Sequence, residues 1–242
     1  MVDQARLPHA TLDARSRGAK ALKIELLLRL ADRSQPIALL EIGTGSGGIA
    51  HYFANHPKLT CKVWAVDVLD QRVLSDGYSF KKVDGVELPF EDRSIDVVIS
   101  NHVIEHVGAP AVQQAHLLEI ARVLAPDGVG YLAVPNRWAM IEPHYGVPFL
   151  SWLPRPWRSP YLRLTRRGNI YDCEPLASST LDQLVARSGL LSRPLEPEAV
   201  RIMLAQEDEK GAALELASRL PTDVLNFLSP LMPTLIRELR HP

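Results

Sequence analysis

A doubly wound α/β fold is what this 242-residue sequence predicts, and three observations predict it. A short apolar run over residues 37–42 stops at a loop holding Gly43, Gly45, Gly47 and Gly48, and a helical pattern begins directly after it. A second apolar, β-branched run over residues 61–68 reaches the carboxylate of Asp67, about 20 residues beyond the loop, the spacing of an acidic group at the end of a second parallel strand. A third apolar run, residues 97–99, leads into Asn101, and in a parallel sheet its carboxyl end shares an edge with the glycine loop.

Composition bounds the rest. With 46% hydrophobic and 23% charged residues, the chain predicts one well-cored domain over residues 1–242 with an embellishment. A formal net charge of -1 gives no overall electrostatic case for nucleic acid, so none is expected as a partner. Cys61 and Cys173 are too few and too far apart for a disulfide framework, which suits a reducing compartment. Residues 1–9 lack the apolar core of a signal peptide, and no apolar run reaches the roughly 18 residues of a membrane span. A cytoplasmic protein is expected.

Residues 1–33 read as an N-terminal helical segment, with Leu22, Leu26, Leu27 and Leu30 at helical spacing from residue 11 to 32. The helix after the glycine loop ends near Pro57, because proline cannot continue it. Residues 111–124 predict a helix with Leu117, Leu118, Ile120 and Ala121 inward, closed by Pro126-Asp127-Gly128 and followed by a strand over 128–135. Residues 180–189 predict a capped helix with Gly189 as its stop, residues 195–204 a sixth strand, and residues 210–220 and 222–228 helical patterns. The run over 233–240 admits strand or helix.

The succession EIGTGSGG, the acidic strand end at Asp67, and DGVELPFEDRSIDVVISNHVIEHV over 84–107 resembles class I S-adenosylmethionine-dependent methyltransferases of the small-molecule, type 11-like group. The likeness covers roughly residues 37–136. It implies a Rossmann-like, mostly parallel seven-stranded sheet, with the run over 233–240 as its antiparallel seventh strand, and S-adenosylmethionine as cofactor, released as S-adenosylhomocysteine. It also implies that Glu41, Gly43, Thr44, Gly45 and Gly47 shape the methionine pocket and that Asp67 holds the ribose. Asp84 would bond the adenine amino group, with Gly85 and Val86 beside the ring and Val68 or Leu69 on its face. Asn101 and His102 would floor the site near the sulfonium.

Two other motif readings compete. Gly43, Gly45 and Gly48 satisfy the dinucleotide pattern G-x-G-x-x-G, but a dehydrogenase does not explain the element over 84–90. His102-x-x-Glu105-His106 has an inverzincin-like spacing, but it straddles a strand end and a helix start. Some methyltransferases hold a divalent ion at this place with Glu-x-x-Glu-His. Here His102 replaces the first Glu, so no metal is expected, and a Glu–His pair fixing the turn is the reading adopted.

Between residues 137 and 176 the alternation breaks into a proline- and tryptophan-rich insertion that sits over the carboxyl edge of the sheet as a substrate lid. Its candidate substrate residues are Glu142, His144, Tyr145, Trp152, Arg155, Trp157 and Arg158. Arg155, Arg158, Arg163, Arg166 and Arg167 interleave with Trp157, Tyr161, Leu162 and Leu164, so the segment reads as a clamp for an anionic acceptor, as peripheral contact with an anionic membrane surface, or as a solvated face. Methyl transfer needs a base only for a hydroxyl or a protonated amine, and His144 leads as that base, followed by His102, His106 and Tyr171. The expected reaction is O-methylation of a small-molecule, glycan or lipid-linked acceptor carrying an anionic group. N- or C-methylation and a non-catalytic cofactor-binding partner subunit are the alternatives; oligomeric state is not legible.

Overall fold

The computed structural model describes residues 14–205 and 219–242. Helix α1 (Ala14–Leu28) precedes strand β1 (Ile37–Ile42), which enters α2 (Gly48–Ala54) through the glycine loop. Then come β2 (Cys61–Asp67), β3 (Ser79–Lys82), β4 (Ile95–Asn101), α3 (Pro110–Val123) and β5 (Leu124–Pro135). The insertion carries α4 (Arg155–Leu164), and the chain closes with α5 (Ser178–Arg187), β6 (Leu191–Pro194), α6 (Glu196–Ala205), α7 (Thr222–Leu228) and β7 (Thr234–Arg240).

Seven strands form one sheet in the order β3-β2-β1-β4-β5-β7-β6. β7 alone runs antiparallel, paired with both β5 and β6. Alternate residues of each strand enter opposite cores, as the two-residue period of a strand requires. Leu39, Val97, Tyr131 and Ala133 pack under α1, α2 and α6, whereas Leu40, Val98, Leu132 and Val134 pack under α3 and α5. The strand order reverses between β1 and β4, so the crevice for a ligand opens at their carboxyl ends. No helix among the described residues is long and apolar enough to cross a membrane.

The structure departs from several sequence expectations. The sixth strand expected over 195–204 is instead helix α6 (Glu196–Ala205): Pro197 suits a helix's first turn, and Leu195, just before the helix, is buried with Ala199. Strand β6 lies just before it, at Leu191–Pro194. In α1 the buried stripe is Ala21, Ile24, Leu27 and Leu28, with Leu26 outward, and in α3 Leu118 faces solvent. Helix α5 begins at Ser178 behind Ala177, with no side-chain cap, and β5 starts at Leu124 ahead of a register shift opposite β4. Most of the helical pattern expected over 210–220, and residues 1–13, lie outside the described residues.

Candidate functional site

The glycine loop is held from below by Glu41. Its side chain is buried, and Oε2 accepts hydrogen bonds from Thr44 Oγ1 (2.7 Å) and Ala50 N (2.9 Å). Burial pushes the Glu41 carboxyl up to about 7, although those two bonds pull the other way. Gly47 stands at φ +83°, and a Cβ there would meet Leu74 O at 2.1 Å and Tyr78 Oη at 2.3 Å. Only glycine lets the 74–78 segment close over the loop. Glu41, Thr44 and Gly47 therefore brace the loop from outside the cavity that it borders.

That cavity, about 930 Å³, runs along the carboxyl ends of β2, β1, β4 and β5. Gly43, Gly45, Asp67, Val68, Leu69, Gly85, Val86, Asn101 and His102 all line it. Asp67 accepts from Gly45 N (2.9 Å) and Leu69 N (3.3 Å), so its carboxylate is fixed at the cavity edge by backbone. Val68 and Leu69 are close to half exposed, an apolar surface left open beside the carboxylate. Asp84 is exposed at the rim while its neighbours Val83 and Gly85 line the cavity. The 88–90 turn is clamped by α3: Glu119 Oε2 accepts from Leu88 N, and Arg122 donates to Leu88 O and Phe90 O, each at 2.8 Å.

The far end of the cavity is apolar, formed by Ala199, Val200 and Met203 of α6 with Met232, Pro233 and Ile236 around β7. Glu196 also faces it. One oxygen accepts from Ile236 N and Arg237, while Oε2 is buried without a hydrogen-bond partner among the described residues. Arg17, Lys20 and Lys23 of α1 are the cationic lining side chains among the described residues.

The cavity wall also carries a group of imidazoles around one carboxylate. Glu105 is fully buried, and its Oε1 stands 3.3 Å from His102 Nδ1, 3.5 Å from His144 Nε2 and 3.9 Å from His106 Nε2. Burial alone would raise the Glu105 carboxyl, but the three imidazoles hold it below the usual carboxylate range. His102 sits at φ +59°, a left-handed conformation uncommon outside glycine, with its N–H bonded to Ala133 O (2.9 Å). His144 arrives from the insertion, where Glu142 takes its Nδ1 (3.0 Å) and its backbone N–H (2.8 Å). Burial works against protonation of His144, but Glu142 and Glu105 raise its pKa overall. His116 of α3, which no motif singles out, also lines the cavity; burial lowers it to about 4, so it stays neutral against Ser100 Oγ (3.0 Å).

The insertion supplies less of the cavity wall than its sequence suggests. Of residues 137–176, only Pro143, His144 and Asp172 line it. Arg158 is not an anion clamp: it is 2% exposed and donates to Leu153 O (2.9 Å) and Ser151 O (3.2 Å), pinning α4 to its own loop. Arg155 points out and pairs with Glu174 (2.9 Å). Trp152 and Trp157 are exposed, and Trp152 donates to Ala139 O (3.0 Å). Tyr145 donates to Asp172 (3.2 Å) beside Tyr171, and both tyrosines pack on the small core of Val147, Leu150 and Leu162. Burial drives the Tyr171 phenol well above its ordinary value, away from any role as a base near neutrality.

Comparison with known proteins agrees with this architecture. Residues 40–132 match a family model described as a methyltransferase domain. A probable S-adenosylmethionine-dependent methyltransferase of Mycolicibacterium smegmatis is 34% identical over 114 residues, 45% of this chain and 42% of that protein. The norajmaline N-methyltransferase of Rauvolfia serpentina is 29% identical over 125 residues, 46% of this chain and 42% of its own. The chain spans about two fifths of the length of these curated relatives. Among solved structures, the complex of the Haloferax volcanii Trm112 methyltransferase activator with a putative methyltransferase superposes with a TM-score of 0.57 at 17% identity, over 97% of this chain and 96% of that one. A phosphoethanolamine N-methyltransferase of Haemonchus contortus, bound to phosphomonomethylethanolamine and S-adenosylhomocysteine, gives 0.57 at 15%, over 100% of this chain and 59% of that one.

Proposed function

We propose that the chain is a class I S-adenosylmethionine-dependent methyltransferase of the type 11 group, a reading supported by the methyltransferase-domain match over residues 40–132 and by the Mycolicibacterium smegmatis relative, and that it transfers the cofactor's methyl group to a hydroxyl oxygen of a small acceptor with an apolar body. The observation that carries this reading is one cavity of about 930 Å³ whose wall combines the glycine loop and Asp67, the apolar residues of α6 and β7, and the imidazoles gathered around Glu105.

The residues present fit the cofactor. Asp67, fixed by Gly45 N and Leu69 N, offers its carboxylate to the ribose hydroxyls. Val68, Leu69 and Val86 form an apolar slot for the adenine ring, and Gly43 and Gly45 give the methionine part a wall without side chains. Asn101 and His102 lie along the floor. When bound, the cofactor supplies a sulfonium-activated methyl; the acceptor oxygen takes it as the C–S electron pair returns to sulfur and the hydroxyl proton leaves. The chain's work is therefore positioning, exclusion of water and reception of that proton. His102, His106 and His144 are the residues that face the hydroxyl, and the apolar walls of α6 and β7 seat the acceptor's body. An anionic group on the acceptor would meet Arg17, Lys20 and Lys23, since the insertion's arginines point elsewhere.

Calorimetric titration with S-adenosylhomocysteine tests the cofactor half. The wild type is expected to bind, and Asp67→Ala to weaken binding roughly 10- to 100-fold, because hydrogen bonds to a charged group are worth about 1.5–3 kcal/mol. Absence of binding by the wild type overturns the reading. The acceptor half is tested with paired apolar alcohols and amines: product from amines alone would sink the oxygen assignment.

The outer face of α4 supports a second expectation, contact with an anionic membrane surface. Trp157 and Leu164 stand exposed there beside Arg155 and Arg163.

A further inference from the structure

We propose that His102, Glu105 and His144 form a binding site for one divalent first-row transition-metal ion, open to the cavity.

The spacing of the three ligand atoms is the first argument. Glu105 Oε1 lies 3.3 Å from His102 Nδ1 and 3.5 Å from His144 Nε2, and all three atoms fall within 4.8 Å of one another. Good hydrogen bonds to a carboxylate are shorter, about 2.7–2.9 Å. Two donors that share an ion at about 2.1 Å stand about 3.0 Å apart at a right angle and about 3.4 Å apart in a tetrahedron. The contacts match the edges of a coordination polyhedron better than they match hydrogen bonds.

Second, Glu105 is fully buried, and although imidazoles stand 3.3–3.9 Å from Oε1, neither carboxylate oxygen meets hydrogen-bond geometry with a partner among the described residues. A buried carboxylate left in that condition is costly, and a cation resolves it. Third, Glu142, itself buried, holds His144 Nδ1 at 3.0 Å. That bond fixes the orientation of the imidazole, with Nε2 3.5 Å from Glu105 Oε1. A carboxylate that orients a histidine through its other nitrogen is the usual second layer of a metal site. Two imidazoles and one carboxylate suit zinc, manganese, cobalt or iron rather than magnesium or calcium.

His106 Nε2, 3.9 Å from Glu105, borders the site. A competing group, His106, His144 and Cys173, shares His144 but replaces the carboxylate with a buried thiol. His102, His106 and His144 all line the cavity, so the remaining coordination positions face the acceptor. There the ion would hold the hydroxyl oxygen and lower its affinity for its proton; this use rests on the methyl-transfer reading, whereas binding of the ion does not.

The test uses the full chain, stripped with a chelator and titrated with Co²⁺ and Zn²⁺ by calorimetry and absorption. One ion per chain is expected, with binding lost in Glu105→Gln and His144→Ala and weakened roughly 10- to 100-fold in Glu142→Gln. Retained S-adenosylhomocysteine binding shows that each variant is folded. No binding by the wild type, or wild-type affinity in both Glu105→Gln and His144→Ala, overturns the proposal. Intense sulfur-to-cobalt charge transfer that Cys173→Ser removes also overturns it, in favour of the thiol group. Ion binding in a protein that ignores S-adenosylhomocysteine would uphold the site and refute the function proposed above.

Discussion

Glu41 shows how one residue ties loop shape to pH. Its carboxyl, pushed up to about 7 from an ordinary 4.5 by burial, binds its proton more tightly in the folded chain than in the unfolded one. Its contribution to stability is therefore full below about pH 4.5 and lost as pH rises through about 7. Glu41→Gln removes that titration, so the stability of the variant relative to wild type should rise across this interval, by up to on the order of 3 kcal/mol. Urea unfolding at a series of pH values measures it, and a difference independent of pH would refute it. Residues contiguous in sequence were the legible ones: the glycines of the loop and Asp67 follow from one strand, one turn and one spacing. Glu105 with His144, 39 positions apart on two elements, was not, because nothing in a linear spacing says that the insertion folds back over the β4 end. His116 was invisible for a similar reason: it belongs to no motif within its helix, and only the packing shows that it looks into the cavity.

The junction of α5, α6 and β7 holds a buried charge pair. Arg237, 3% exposed, pairs with Glu196, donates to Asp182 (2.9 Å) and donates to Ser178 (2.7 Å). Arg237→Leu leaves Glu196 buried without its cation and should cost about 3–5 kcal/mol, while the double variant Arg237→Leu/Glu196→Leu should regain much of that loss. A double-mutant cycle by denaturant unfolding checks both, and additive effects would show that the pair is not coupled. Elements were readable where burial imposes a clean period. β1, β2 and β4 are nearly continuous apolar runs because both faces of a central parallel strand are covered. Edge strand β3, sequence SFKK and mostly exposed, has no such pattern. Residues 195–204 misled because apolar residues at close intervals fit a strand as well as a helix, and the first turn beginning Glu196-Pro197 decides the matter.

On the scale of the whole molecule, the cavity and the exposed face of α4 lie on different surfaces of the same insertion, so acceptor choice and membrane contact should separate experimentally. Co-sedimentation with vesicles containing anionic phosphatidylglycerol is expected for the wild type and should fall with Trp157→Ser and with rising salt, while S-adenosylhomocysteine binding stays unchanged. Equal sedimentation with neutral vesicles would refute an electrostatic contact. The insertion itself is stitched at its root: Asn136 bridges to Leu176, Arg137 N donates to Leu176 O (3.0 Å), and the Asn136 amide donates to Pro230 O (2.7 Å) and Met232 O (2.8 Å). A segment whose two ends already meet is a cassette. Lengthening or exchanging it disturbs no strand register, and each doubling of its length adds only about 0.6 kcal/mol of closure entropy. Such a cassette can be exchanged as one module while the bond from the glycine loop to Asp67, on β1 and β2, keeps its geometry.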